Sequence, residues 1–475
     1  MKGGKESGVR SQEPEPEKES SSLPVGWVAV ELGELVVDPK KDLVDGPFGS
    51  NLKANEYTTC GVPVFKIQNI KANRFVDNNI SYIKEEKAEY LSRHSFVSGD
   101  LIITKLGDPL GLCCKAPEHY RYGIIVADLM RLRPDRLIVY DQFLIYAINC
   151  SIVQNQFKAI TKGTTRPRMN LAIVRGVEIP LPPLPEQQRI AAKIEELFSS
   201  LDKGIENLKT AQQQLKIYRQ ALLKRAFEGK LANGNVADGE LPQGWTWVSL
   251  CAVSDKITDG EHFRPTTEET GIPFLSAKDV RDEGVSFDEP LFISEDTARK
   301  AMQRCDPRRG DILIVSRGAT VGRMCIVNTD KKFCLLGSVI LIKVKKETNS
   351  RYLAYALKSP IMNTTLISVS GATAQQAIYL RDIKNIEIPL APLPEQHAIV
   401  SEIESRLSVC DKVEETINNA LKEAESLRQS ILKKAFEGKL VPQDPNDEPA
   451  SILLDRIRKE RAKTLPSMTR KRGRK

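Results

Sequence analysis

Ile179-Pro180-Leu181-Pro182-Pro183-Leu184-Pro185-Glu186-Gln187 and Ile388-Pro389-Leu390-Ala391-Pro392-Leu393-Pro394-Glu395-Gln396 are one nine-residue segment written twice, 209 positions apart, with a single change. A second segment repeats at the same spacing. Leu223-Lys224-Arg225-Ala226-Phe227-Glu228-Gly229-Lys230-Leu231 returns as Leu432-Lys433-Lys434-Ala435-Phe436-Glu437-Gly438-Lys439-Leu440. Upstream the spacing drifts. Leu23-Pro24-Val25-Gly26-Trp27 matches Leu241-Pro242-Gln243-Gly244-Trp245 at 218 positions, and Gly61-Val62-Pro63 matches Gly271-Ile272-Pro273 at 210. Constant spacing means no insertions after each Leu-Pro-Glu-Gln; drifting spacing means insertions before it. The period is far too long for a solenoid of about 20–50-residue units. It describes two copies of a globular domain, each followed by a helix.

Between the two repeated segments the apolar residues keep helical spacing. Ile190, Ile194, Leu197, Leu201, Ile205, Leu208, Ala211, Leu215, Tyr218 and Leu222 step by three or four. Pro185 sits where a first turn tolerates proline, and Gly229 where a C-terminal glycine ends a helix. The second copy has Ile399, Ile403, Leu407, Cys410, Val413, Ile417, Ala420, Ala424, Leu427 and Ile431, then Gly438. A helix of that length with a single apolar stripe needs a partner. The favoured partner is its own repeat in an antiparallel coiled coil; the alternative is that each helix packs on a separate domain.

The stretches before the helices carry short β-rich runs, such as Val62–Ile67, Leu101–Thr104, Tyr122–Val126 and Gly176–Ile179. In the second copy Ile272–Leu275, Asp311–Val315 and Val339–Val344 answer them, and short helices are expected near Ser294–Arg304 and Arg351–Lys358. The expected fold is therefore α+β: two globular domains joined by two long helices, with a pseudo-twofold internal repeat. The expected segments are a disordered leader 1–22, a first domain 23–184, a long helix and linker 185–240, a second domain 241–393, a second long helix 394–464 and a basic tail 465–475.

The chain has 475 residues and a formal net charge of +8. Ten Lys/Arg against one Glu lie between Arg456 and Lys475, so the rest of the chain is near neutral. Bulk charge therefore does not point to nucleic acid; a DNA surface would have to be local. No apolar run reaches the ~18 residues of a membrane span. Nine scattered Cys suit a reducing cytoplasm. The four His form no metal pair, and Cys113-Cys114 is adjacent rather than C-x-x-C. A phosphate loop, a nucleophile elbow and a methyltransferase Asn-Pro-Pro-aromatic motif are missing. Glu85-Glu86-Lys87 reads as an ordinary charged run rather than a nuclease triplet. A binding or scaffold protein, not an enzyme, is the expectation.

The repeated domain, Leu-Pro-Glu-Gln, long helix and Ala-Phe-Glu-Gly-Lys-Leu ending resemble the specificity subunit of type I restriction-modification systems, from residue 23 to about 463. The Leu-Pro-x-Gly-Trp openings match as well. The resemblance implies two target-recognition domains, each reading half of a split, asymmetric site on double-stranded DNA, with the coiled coil as a spacer ruler. Half-sites read from one face would lie roughly 34 Å apart. It also implies two modification subunits as partners, which carry S-adenosylmethionine, with restriction/motor subunits possible. This chain itself is expected to hold no cofactor and no metal.

Base readout needs exposed loops carrying Arg or Lys for guanine and Asn or Gln for adenine. In the first domain the candidates are Ser50, Asn51, Lys53, Lys105, Arg166 and Arg168. In the second they are His262, Arg264, Arg317, Thr373, Gln375 and Gln376. Lys105-Leu106-Gly107 and Arg317-Gly318 are expected in matching places. Two readings compete: a coiled-coil scaffold that assembles partners without reading bases, disfavoured by two divergent heads, and a nuclease, disfavoured by the missing motifs.

Overall fold

The computed structural model describes residues 23–48, 51–107, 109–161, 168–231, 236–237, 240–369 and 377–464. The leader 1–22 and the tail 465–475 lie outside them. The chain forms two compact units, Met1–Ile205 with Lys422–Lys475, and Glu206–Leu421.

In the first unit a four-stranded antiparallel sheet runs in the order Cys113–Lys115, Leu101–Thr104, Leu129–Leu132, Leu43–Asp45. Its central strands are buried along their whole length, so both faces must be covered. Alternation assigns the faces. Leu101 and Ile103 point to the helices Asp141–Asn149 and Ser151–Thr161, with Phe143, Ile148 and Phe157. Ile102 points the other way, to Phe65, Phe96 and Ile125 of a five-stranded mixed sheet. That sheet has one parallel pair, Val62–Phe65 with Tyr122–Ile125. Val28–Glu31 pairs with Glu178–Leu181, the strand that leads into the first long helix.

The second unit repeats this plan in itself. Its four-stranded sheet runs Ser254–Asp259, Val339–Val344, Ile312–Val315, Met324–Ile326. Ile312 and Ile314 face the helix side and Leu313 and Val315 the second sheet, where Ile272–Leu275 pairs in parallel with Cys334–Leu335. The helices Glu295–Arg304 and Ser350–Lys358 lie where the sequence places them.

The long helices are Leu184–Phe227 and Leu393–Phe436, 44 residues each, about 66 Å at 1.5 Å per residue. In the first unit Ile190, Ile194 and Phe198 at the start of one share a core with Ile431, Leu432, Ala435 and Phe436 at the end of the other. In the second unit Leu223, Ala226 and Phe227 meet Ile399, Val400 and Ile403. Start meets end, so the pair is an antiparallel coiled coil. The alternative of helices packed only on their domains is replaced by both at once, because these residues also complete the domain cores. Ion pairs flank the seam: Arg219 reaches Asp411 at 2.7 Å and Glu414 at 2.8 Å, and Arg428 pairs with Asp202. Tyr218, Val413 and Leu427 of the apolar stripe stay exposed, since a two-helix seam buries only a narrow strip.

The repeated motifs are the joints of each unit. Gln187 is fully buried; it accepts the Tyr140 N–H at 2.8 Å and donates to Pro182 O and Ile138 O at 3.0 and 3.1 Å. Gln396 accepts the Asn349 N–H and donates to Ala391 O, both at 2.8 Å. Both helices end in the same glycine cap. Gly229 and Gly438 have φ of 72° and 69°, and the following Lys N–H bonds five residues back, to Arg225 O and Lys434 O. A Cβ on Gly229 would lie 2.0 Å from Pro242, and one on Gly438 2.3 Å from Pro24. The end of each helix thus docks on a Leu-Pro-x-Gly-Trp opening.

One segment differs from expectation. Residues 394–464 are not one helix: the glycine cap stops it at Phe436, prolines 442, 445 and 449 keep it from resuming, and a separate helix covers Ala450–Thr464. Ala450, Leu454 and Ile457 of that helix enter the first unit's core, and Arg458 and Arg461 pair with Glu34 and Asp135. Part of the basic C-terminal charge is therefore spent on the fold.

Candidate nucleic-acid interface

In each unit the middle sheet ends on an Asp-Gly pair. The N–H of Gly46 bonds to Leu129 O at 3.0 Å and that of Gly260 to Val339 O at 3.2 Å. A Cβ on either glycine would lie 2.0 Å from a carbonyl, that of Val126 or of Leu335. Only glycine lets the strand pass there, and the loop leaving it is held at its base.

In the first unit Lys105 and Arg168 come together at this sheet end. Lys105 Nζ meets Asp45 Oδ2 at 2.9 Å, and its side chain is only 12% exposed. Arg168 is 57% exposed and donates to Asp128 Oδ1 at 2.8 Å. A backbone bridge joins Leu106 to Arg168, and Met169 N–H bonds to Lys105 O. Lys105 is thus neutralised and props the loop, whereas Arg168 keeps most of its five guanidinium donors for other acceptors. Asn51 is half-buried and its N–H closes a turn on Phe48 O at 2.8 Å. Lys53 is exposed at the start of a short 3-10 turn, where its N–H donates to Glu56 at 2.6 Å. That N–H, then Lys87, hold the Glu56 carboxyl below the usual range. Ser50 and Arg166 lie outside the described residues.

In the second unit His262, Asp259 and Arg304 form a cluster. His262 Nε2 lies 3.4 Å from Asp259 and 2.8 Å from the Arg304 guanidinium, which also pairs with Asp259. Arg264 and Arg317 are exposed. Arg317 bridges to Ala377 as Leu106 does to Arg168, and Ile378 N–H bonds to Ser316 O as Met169 does to Lys105 O. The two loops therefore match as the sequence places them, with the register now fixed. Lys105 corresponds to Ser316, Leu106 to Arg317, and Gly107 to Gly318, both glycines with φ above 100°. Thr373, Gln375 and Gln376 lie outside the described residues.

The residues that fix these loops were not among the candidates: Asp45, Asp128, Asp259 and Arg304. The Asp-Gly pairs at 45 and 259 recur in the sequence and could have been found. Arg304 could not, because it arrives from a helix 42 positions beyond His262. Among the described residues no cluster of His, Cys, Asp and Glu could hold a metal ion, and no helix is long and apolar enough to cross a membrane. Burial pushes the Cys114 thiol up to about 12 and Cys113 well above its ordinary value, so both stay protonated and inert.

The family model "Type I restriction modification DNA specificity domain" matches residues 24–216 and 243–423. The EcoBI specificity subunit of Escherichia coli is 30% identical over 332 residues, 64% of this chain and 69% of that one. The EcoKI specificity subunit of Escherichia coli K12 is 24% identical over 93% of this chain and 97% of its own length. Among solved structures, the HsdS subunit from Thermoanaerobacter tengcongensis superposes with a TM-score of 0.57 at 26% identity, covering 89% of this chain and 99% of that one. A chain from a study of assembly and conformational transition of the type I R-M system gives a TM-score of 0.67 at 24% identity over 88% and 99%. With two matched copies that together span most of its length, the chain belongs to the type I restriction-modification DNA specificity family.

Proposed function

We propose that this chain is the DNA-reading subunit of a type I restriction-modification complex, and that each unit reads one half of a two-part target. The carrying observation is a shared frame with unlike contents. Both units end their middle sheet on Asp-Gly and start their helices on a buried Gln, yet the loops carry Lys105 and Arg168 in one and His262, Arg264 and Arg317 in the other. Unlike contents on equal frames predict unlike half-sites, hence an asymmetric target. Asn51, Lys53, Arg168, Arg264 and Arg317 are the side chains we assign to DNA contact, with Lys105 positioning its loop. Ser50, Arg166, Thr373, Gln375 and Gln376 remain assigned on sequence grounds.

In this reading the chain does no chemistry. Two modification subunits dock on its two like units and carry S-adenosylmethionine; restriction/motor subunits join them. The long helices set the number of unread bases, so lengthening both alters the spacer and leaves the half-sites unchanged. The site of action is the cytoplasm of a bacterial or archaeal cell.

The test is single-molecule methylation sequencing of DNA from cells that make this chain with its modification subunit. One methylated, asymmetric, two-part motif is expected. Methylation spread over unrelated sequences would refute the assignment.

A further inference from the structure

Two aromatic rings stand out of the loops described above. Phe263 is 88% exposed and Phe48 77%, more than any other aromatic side chain among the described residues. The chain has 14 Phe, and the other twelve are buried or half-buried. A single exposed apolar residue means little. Here, however, the two exposed Phe leave the same Asp-Gly strand end, one residue apart in register, in two units whose loops otherwise differ. Each follows the Asp-Gly strand end by two or three residues, Gly46 to Phe48 and Gly260 to Phe263.

The loop bases are fixed. Gly46 and Gly260 are wedged under a carbonyl, Pro47 beside Phe48 is buried, and Asn51 N–H closes on Phe48 O. A ring on a fixed loop loses little freedom when it binds, so its contact is retained as affinity. Polar and cationic residues lie close by along the chain: Asn51 and Lys53 after Phe48, and His262 and Arg264 on either side of Phe263, with one acid, Glu261, before them. An apolar ring among cations and hydrogen-bonding groups fits nucleic acid, where phosphates take the cations and base surfaces take the ring. A protein-docking patch would surround the ring with further apolar side chains.

We propose that Phe48 and Phe263 are specificity-determining residues that lay an aromatic ring on apolar base surface, one in each half-site. The inference rests on the DNA-reading function proposed above. Two base surfaces offer the same chemistry, the face of an unstacked base and the thymine methyl.

The experiment uses the full chain assembled with its modification subunit and the two-part target found by methylation sequencing. F48A and F263A are each expected to weaken target binding by about 5- to 150-fold. The loss is confined: with F48A, base changes in one half-site no longer matter, and with F263A those in the other. F48W and F263W retain discrimination. Thermal midpoints stay unchanged, since both rings are exposed. Replacing thymine by uracil separates the two surfaces. A penalty seen by the wild type and not by the Ala variant places the ring on the methyl; no penalty places it on a base face. Binding within twofold of wild type for both Ala variants overturns the proposal. So does an equal loss on target and unrelated DNA, or a loss of modification-subunit binding with selectivity intact, which would make the rings a protein-docking site. A wild-type complex that selects no two-part sequence sinks the DNA-reading function itself, and that outcome is read before any variant is made.

Discussion

Replacing Gln187 with alanine tests whether the Leu-Pro-Glu-Gln motif is a structural joint. The side chain is fully buried and makes three hydrogen bonds, one accepted from Tyr140 N–H and two donated to Pro182 O and Ile138 O. Alanine leaves one part-buried N–H and two buried carbonyls short of a partner. A buried donor left unsatisfied costs about 1–3 kcal/mol, and a carbonyl less because it has a second lone pair. The sum is about 3–4 kcal/mol. At about 2–4 °C per kcal/mol for a unit of this size, the melting transition of the first unit should fall by about 6–16 °C. Gln396→Ala removes two bonds and should cost about 1 kcal/mol less, in the second unit. Gln187→Glu is the sharper control. It keeps the acceptor for Tyr140 but turns an oxygen toward two carbonyls, so it should be at least as damaging as alanine. Differential scanning calorimetry of the full chain reads all three. A Gln187→Ala variant within about 0.5 kcal/mol of wild type, below the smallest penalty for one stranded donor, would refute the reasoning.

Glu186, next to it, gives a pH signature. Burial raises its carboxyl pKa from 4.5, opposed by the Trp27 indole N–H and by Arg189. A raised pKa means stability that is complete below about 4.5 and lost as pH rises through the folded value. Glu186→Gln should therefore be more stable than wild type at pH 7, with the difference fading below pH 4.5; urea melts at pH 7 and pH 4 check the sign. Gly46→Ala and Gly260→Ala would each drive a Cβ to 2.0 Å from a carbonyl and should destabilise by about 3 kcal/mol while impairing one half-site only. Equal melting curves would mean the strand end yields. Leu454→Ala, in the first unit's core, should cost about 2–4 kcal/mol, and Ile452→Ala on the exposed side of the same helix almost nothing. Comparable losses would mean the C-terminal helix is docked differently.

The repeat, both long helices and their glycine stops were legible because each depends on local order. Apolar residues every three or four positions, a proline at a helix start and a glycine at its end act over a few residues. Strand positions such as Leu101–Thr104 and Ile272–Leu275 were legible for the same reason. The candidate loops were less so. Lys105 has the chemistry of a guanine reader, yet Asp45, 60 positions away, neutralises it. The backbone bridges set Arg317 opposite Leu106 and leave Ser316, which carries no charge, in the place of Lys105. The rings of Phe48 and Phe263 carried no sequence signal, since exposure is not a local property.

The sequence by itself determined that this chain is a doubled α+β unit with two long helices, and through its repeated motifs which family it belongs to. Tertiary structure decided what those motifs are for. Gln187 and Gln396 tie a helix to a distant turn, and the glycine after each long helix seats on the proline of an opening. It also decided which cations are spent: Lys105 on Asp45, Arg304 on Asp259, Arg458 and Arg461 on the first unit, leaving Arg168, Arg264 and Arg317 more exposed. Periodicity is written along the chain, whereas burial and charge pairing join residues tens to hundreds of positions apart, and only folding brings them within reach.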